Sequence, residues 1–122
     1  MLTVPSGRTL MMETLLVSMA PYELYRWAED LFAHRDYYAA AEVLEHLVER
    51  HPDERDLAQA RELLVRSFYH SARLGRAVEA ARAALEREPT NAYLALLLAR
   101  ALERSADPAA EAAHRLAQAL AA

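Results

Sequence analysis

AAEVLEHLVERHP, residues 40–52, returns 37 positions later as AVEAARAALEREP, residues 77–89. Ala40/Ala77, Glu42/Glu79, Glu49/Glu86, Arg50/Arg87 and Pro52/Pro89 coincide, and a third, weaker copy follows from Ala92 onward. Each copy carries apolar residues at helical spacing and closes on a proline, which has no N–H to continue the helix. A period of roughly 34–37 residues built from helix pairs marks a stacked array, in which each pair buries its apolar face on the next.

Working outward, the same logic predicts helices on both sides of the echo. Pro21 opens a helix over about 21–34 at a position where its missing N–H is harmless, with Leu24, Trp27, Ala28 and Leu31 on one stripe. Asp36 caps a second over about 37–51, with Ala40, Val43, Leu44, Leu47 and Val48 turned inward. Asp53 is read as the cap of a longer helix reaching about Ala72, striped by Leu57, Ala60, Leu64 and Phe68. Gly75 is read as the next turn, followed by a helix to about Glu88. Asn91 caps a helix to about Arg104, and Asp107-Pro108 start a terminal alanine-rich one. Short connections make neighbours antiparallel. The expected class is all-α, with two glycines and almost no β-branched runs to build a sheet.

From about 21 to 122 the chain resembles the tetratricopeptide repeat family, in units of about 21–53, 54–90 and 91–122. Ala28 stands where that family needs a small residue, Leu31 takes its large aromatic place, and Asp36-Tyr37 match its turn. Ala40, Leu44, Leu47 and Pro52 match its second helix, as do Ala77, Ala81, Ala84 and Pro89 in the next unit. Leu98, Ala99, Leu102, Ala112, Leu116 and Ala119 match in the third with about one insertion. The family's signature tryptophan place holds Leu24, with Trp27 one turn on. The middle unit is 37 residues long instead of 34, so two registers about three residues apart fit its first helix, one of them putting Val65 at the small place. The resemblance implies a right-handed superhelical array of antiparallel helix pairs whose first helices line a concave groove. By register that groove receives Tyr22, Tyr25, Glu29 and Phe32, then Glu62, Arg66 and Tyr69, then Tyr93, Leu96, Arg100 and Arg104. Members that hold a C-terminal carboxylate do so with lysine and asparagine; here those places are Tyr25 and Glu29, so that clamp is absent. The tyrosines offer stiff apolar area and the arginines forked donors, an arrangement suited to a ligand with apolar anchors and an acidic group.

Residues 1–19 contain no alanine, in contrast to everything after them. If helical from about Thr9, the segment aligns Met11, Met12, Leu15, Leu16 and Met19 in one apolar stripe. It is expected to pack on the array as an end cover, or to dock as a helix into the groove of its own or a second copy.

The net charge of −4 disfavours a nucleic-acid partner, because neutralising phosphates takes a basic face. All basic residues are arginine, which with the abundant alanine indicates GC-rich bacterial coding. No apolar run approaches the ~20 residues of a membrane helix, and no export signal is evident, so a cytoplasmic protein with no membrane partner is expected. With no cysteine and five scattered histidines (His34, His46, His51, His70, His114), no metal site or cofactor is expected. Glu42, Glu45 and Glu49 read as a charged outer face rather than catalytic acids, and neither a nucleophile elbow nor a phosphate loop is present. The expected function is therefore non-catalytic: a scaffold or adaptor binding a protein or peptide segment. The alternatives are a homo-oligomerising module, dimerising through residues 1–19, or the regulatory repeat region of a larger bacterial regulator.

Overall fold

The computed structural model describes residues 7–122, with side chains from residue 12 on. Among these, seven helices follow in order: α1 Gly7–Ser18, α2 Pro21–Ala33, α3 Tyr37–Arg50, α4 Ala58–His70, α5 Leu74–Arg87, α6 Ala92–Arg104 and α7 Ala110–Ala121. The described residues contain no strand. α2 packs on α3, α4 on α5 and α6 on α7; α3 then meets α4, and α5 meets α6. The first helices of neighbouring pairs also touch, α4 against α6. This is a tetratricopeptide-like helical array.

The caps explain why the chain turns where it does. Ala39 N–H donates to Asp36 Oδ1 at 3.3 Å, and Leu94 N–H to Asn91 Oδ1 at 3.0 Å, each satisfying a donor that a helix start leaves unpaired. The turns inside the pairs share one geometry. At the end of α2, Arg35 N–H donates to Phe32 C=O (2.9 Å) and Asp36 N–H to Leu31 C=O (2.8 Å). After α4 the same two bonds run from Ala72 to Tyr69 and from Arg73 to Phe68; after α6, from Ala106 to Glu103 and from Asp107 to Leu102. Arg35, Ala72 and Ala106 sit at φ 62°, 59° and 55°, the left-handed residue of a Schellman cap. Their spacings of 37 and 34 residues set the register of the first helices: Ala28, Val65 and Ala99 are equivalent, and all three are fully buried.

Burial follows the sequence stripe. Leu24, Ala28, Val43, Leu44, Leu47, Leu57, Leu64 and Phe68 form one core with Leu16 of α1. Val65, Ala81, Ala84, Leu94, Leu97, Leu98 and Leu102 form a second core farther along. Ser67 lies fully buried on α4, its hydroxyl satisfied by the Leu63 carbonyl at 2.8 Å.

Four expectations need correction. α4 begins at Ala58, not at Asp53: residues 52–57 form the turn, and Leu57 is buried just before the helix starts. Gly75 lies inside the first turn of α5; the left-handed position that a glycine would favour is taken by Ala72. Pro108 stands in the turn ahead of α7 while Asp107 Oδ1 accepts from Ala109 N–H (2.9 Å). On α7, Ala112, Leu116 and Ala119 face outward, because the helix packs chiefly on α6 and turns Ala117 inward.

α1 starts at Gly7, slightly earlier than expected. Leu16 is buried and Met12 and Met19 are half-buried against the first core, but Leu15 is 46% exposed and falls off the expected stripe. A 12-residue helix with one docked edge cannot turn two adjacent residues, 100° apart, equally inward. The side chain of Met11 lies outside the described residues.

Candidate functional site

The residues nominated for the groove come from equivalent turns of α2, α4 and α6. In the register set by the three caps, Tyr22, Gln59 and Tyr93 correspond, then Tyr25, Glu62 and Leu96, then Glu29, Arg66 and Arg100. Because α2 and α4 are each followed by a helix that carries the chain back, their equivalent faces lie side by side. Two depressions of about 320 Å³ each open between them.

The first is lined by Pro21, Tyr22, Tyr25, Leu47, Leu57, Gln59 and Ala60, with Glu54, Arg55 and Asp56 of the turn along one rim. The second is lined by Tyr25, Glu29, Phe32, Ala33, Gln59, Glu62, Leu63 and Arg66. Tyr25 and Gln59 belong to both and are joined by a bond from the Tyr25 hydroxyl to Gln59 Oε1 at 3.4 Å, so the two depressions form one furrow with a polar saddle. Tyr22 is 69% exposed at its mouth.

The furrow is charged unevenly. Partial burial, together with the nearby carboxylates of Glu29 and Glu62, pushes the Tyr25 phenol pKa up, with Arg66 opposing. Arg66 places its guanidinium over the Phe32 ring, 4.7 Å from the centroid. Arg104 reaches back from α6, donating to the Tyr69 carbonyl (3.3 Å) and lying over the Tyr69 ring (4.7 Å). Beyond them Phe32, Tyr37 and His70 form an aromatic cluster, with Tyr37 and His70 stacked at 4.9 Å and Phe32 edge-on to both. Burial and the flanking Arg66 and Arg104 hold the His70 imidazole below its usual pKa.

Six nominated residues therefore meet on one furrow: Tyr22, Tyr25, Glu29, Phe32, Glu62 and Arg66. Tyr69 and Arg104 are tied to each other beside it. Tyr93 is 40% exposed, Arg100 is exposed and Leu96 is half-buried; none of the three lines either depression. The sequence reading missed Gln59, the rim 54–56, and the Tyr37/His70 pair. Gln59 stands 37 residues after Tyr22, the same interval that separates the two copies of the echo, so the period itself was the signal.

α1 lies elsewhere. Met12, Glu13, Leu16 and Val17 face Glu42, Glu45, His46, Glu49 and Arg50 of α3 across a cavity of about 410 Å³. No described α1 side chain lines the α2/α4 furrow. Burial, with nearby Arg50 and His51, lowers the pKa of the His46 imidazole, whose Nε2 is buried without a hydrogen-bond partner among the described residues. Among the described residues no three His, Cys, Asp or Glu side chains converge as a metal site.

A family model described as YfiO, outer membrane lipoprotein, matches residues 17–105, more than two thirds of the chain, from the end of α1 to just past the end of α6. Comparison with curated proteins gives no match. The family match corrects the expected cytoplasmic location: an outer membrane lipoprotein family points to a periplasmic or membrane-associated protein. The expectation of no membrane partner sits uneasily with such a family. No helix among the described residues is long and apolar enough to cross a membrane, and that observation carried no information about which compartment the array occupies.

Proposed function

The chain belongs to the YfiO family of outer membrane lipoproteins, and from that premise we propose that it is a non-catalytic protein-interaction module. In this reading three helix-pair units, about 21–53, 54–90 and 91–122, present a groove that takes a peptide or helical segment of a partner. Families of this helical-repeat type are generally non-catalytic. The observation that carries the proposal is the continuous furrow between α2 and α4, in which exposed tyrosine, stiff aromatic surface and charged groups converge on unfilled space. Aromatic residues and arginine are the side chains that most often anchor protein interfaces. α1 acts as an end cover of the first pair, since its buried Leu16 joins the first core and its neighbours face α3 rather than the furrow.

Site-specific photo-crosslinking tests the groove in cells. Benzoylphenylalanine at Gln59 should give a discrete partner adduct, and at Arg82, exposed on α5, should give none. Adducts from Arg82 alone, or equally from both, would overturn the assignment of the α2/α4 face.

A further inference from the structure

We propose that the Phe32, Tyr37 and His70 rings form an acid-sensitive latch at the far end of the furrow. With His70 neutral the rings stay stacked and the furrow keeps its shape; protonating His70 beside two guanidiniums loosens the stack and weakens the hold on a partner segment. The inference rests on the groove reading above. Three observations carry it.

The first is the place of the stack in the fold. Phe32 lies in the last turn of α2, Tyr37 opens α3 and His70 closes α4, so the three rings tie the first helix pair to the second. Tyr37 and His70 lie nearly flat on each other, 4.9 Å apart with 25° between their planes, and Phe32 stands edge-on to both at 5.0 and 5.7 Å. The Tyr69 ring meets His70 edge-on at 5.7 Å. Phe32 and Arg66 also line the second depression, so a shift of the stack reaches the furrow directly.

The second is the charge around the imidazole. Arg66 of α4 lies over Phe32, and Arg104 of α6 lies over Tyr69 while donating to the Tyr69 carbonyl, so each guanidinium is held on a ring that touches His70. Among the described residues neither arginine enters a salt bridge. Of the carboxylates flanking the cluster in sequence, Glu29 and Glu62 act on the Tyr25 phenol, Asp30 is exposed, Asp36 caps Ala39 N–H, and Glu103 bonds to His114 at 2.6 Å. None of them opposes the two arginines at His70. An imidazolium gains a cation–π contact on Tyr37, but Arg66 and Arg104 already hold the faces of Phe32 and Tyr69 and would have to leave them to make room for a third cation.

The third is the residue that fills this place. In the register set by the caps, Ala33, His70 and Arg104 are equivalent, so successive units carry a neutral, a titratable and a permanently charged group there. Histidine is the side chain whose charge changes between about pH 5 and 8. Burial, then Arg66 and Arg104, favour the neutral imidazole in the folded chain. The stack is therefore intact above the folded midpoint and opens as pH falls through it.

Proton NMR of the 122-residue chain, titrated at low salt, tests the latch itself. The His70 ring should titrate with a midpoint below 6.5, and the nuclear Overhauser contacts between the Tyr37 and His70 rings should fade with that same midpoint. Arg104→Gln should raise the midpoint by removing one repelling charge. His70→Phe, which keeps a flat ring on Tyr37 without a charge, should hold its ring contacts at every pH. A midpoint at or above 6.5, or Tyr37–His70 contacts of equal strength across the titration, would overturn the inference.

Crosslinking from Gln59 reads the consequence for binding. Partner adduct should fall at least about threefold between neutral and mildly acid medium in the wild-type protein and stay level in His70→Phe. An equal fall in both, or no fall in either, would overturn the link between the stack and the furrow. The groove reading is judged separately: an adduct that ignores pH removes the latch and leaves the groove standing, whereas no adduct at any pH removes the groove and the latch's effect on binding with it.

Discussion

Replacing Ala72 by glycine should stabilise this protein, and replacing Gly75 by alanine should stabilise it too. Sequence convention argues for the opposite of the second, because a lone glycine between two helices reads as the turn. In the structure Ala72 has φ 59° and completes the cap of α4, with Ala72 N–H bonded to Tyr69 and Arg73 N–H to Phe68. An L-residue there is strained by about 1–2 kcal/mol through contact of Cβ with the neighbouring carbonyl. Glycine removes that strain but adds about 0.5–1 kcal/mol of backbone entropy in the unfolded chain. The net gain for Ala72→Gly is about 0.5–1 kcal/mol. Gly75 is helical, and a Cβ built on it meets nothing within 4 Å, so Gly75→Ala recovers about 0.5–1 kcal/mol of helix propensity without a clash. At roughly 3–5 °C per kcal/mol for a chain of this size, each variant should raise Tm by about 2–5 °C. Calorimetry on both single variants and the double variant decides it. A fall in Tm for Gly75→Ala together with no gain for Ala72→Gly would mean that the chain turns at Gly75, and the register that aligns Ala28, Val65 and Ala99 would fall with it.

Ala28→Leu should lower stability by about 1–3 kcal/mol, because Ala28 is fully buried in the first core and has no room for added carbons; an unchanged thermal midpoint would refute the close approach. Asp36→Ala and Asn91→Ala should each cost about 0.5–2 kcal/mol through loss of the capping bonds to Ala39 and Leu94, measured by urea unfolding. The lowered pKa of His46 favours its neutral form in the folded chain, so its contribution to stability is present above pH 6.5 and is lost as pH falls through the folded value. NMR titration should find its midpoint below 6.5, and a midpoint at or above 6.5 would contradict the packing of α1 on α3.

The fold was legible because alanine, leucine and proline recur at two scales at once. Helical spacing within AAEVLEHLVERHP identified the buried faces of α3, and the repetition of that block 37 residues later implied stacking. Asp36 and Asn91 marked helix starts because their side chains physically occupy the cap. The ends of α2, α4 and α6 were harder to read. All three close on a left-handed residue that is arginine or alanine, so the local conformation leaves no glycine to mark it. The start of α4 was misplaced for a related reason: Asp53 has the side chain of a cap, but the backbone turns through Asp56 before Leu57 is buried and the helix can begin. Location was not legible at all. The features that exclude a membrane helix are properties of a folded array in any aqueous compartment, and only the family match separates them.

The same turn links the error in reading the fold to the gap in reading the site. Extending α4 back to Asp53 would place Glu54, Arg55 and Asp56 on a helix, splayed around its axis about 100° apart. As a turn, the three instead border one depression beside Tyr22 and Tyr25. A period of 37 rather than 34 could add a turn's worth of helix or a loop, and the two have different consequences. A longer helix would have displaced the cap at Ala72 and broken the equivalence of Ala28, Val65 and Ala99. A loop leaves the array's packing untouched and changes only its edge. Val65 shows which occurred: it is fully buried at the place that alanine holds in the neighbouring units, the unshifted register. The insertion has therefore been accommodated outside the core, at the border of the furrow.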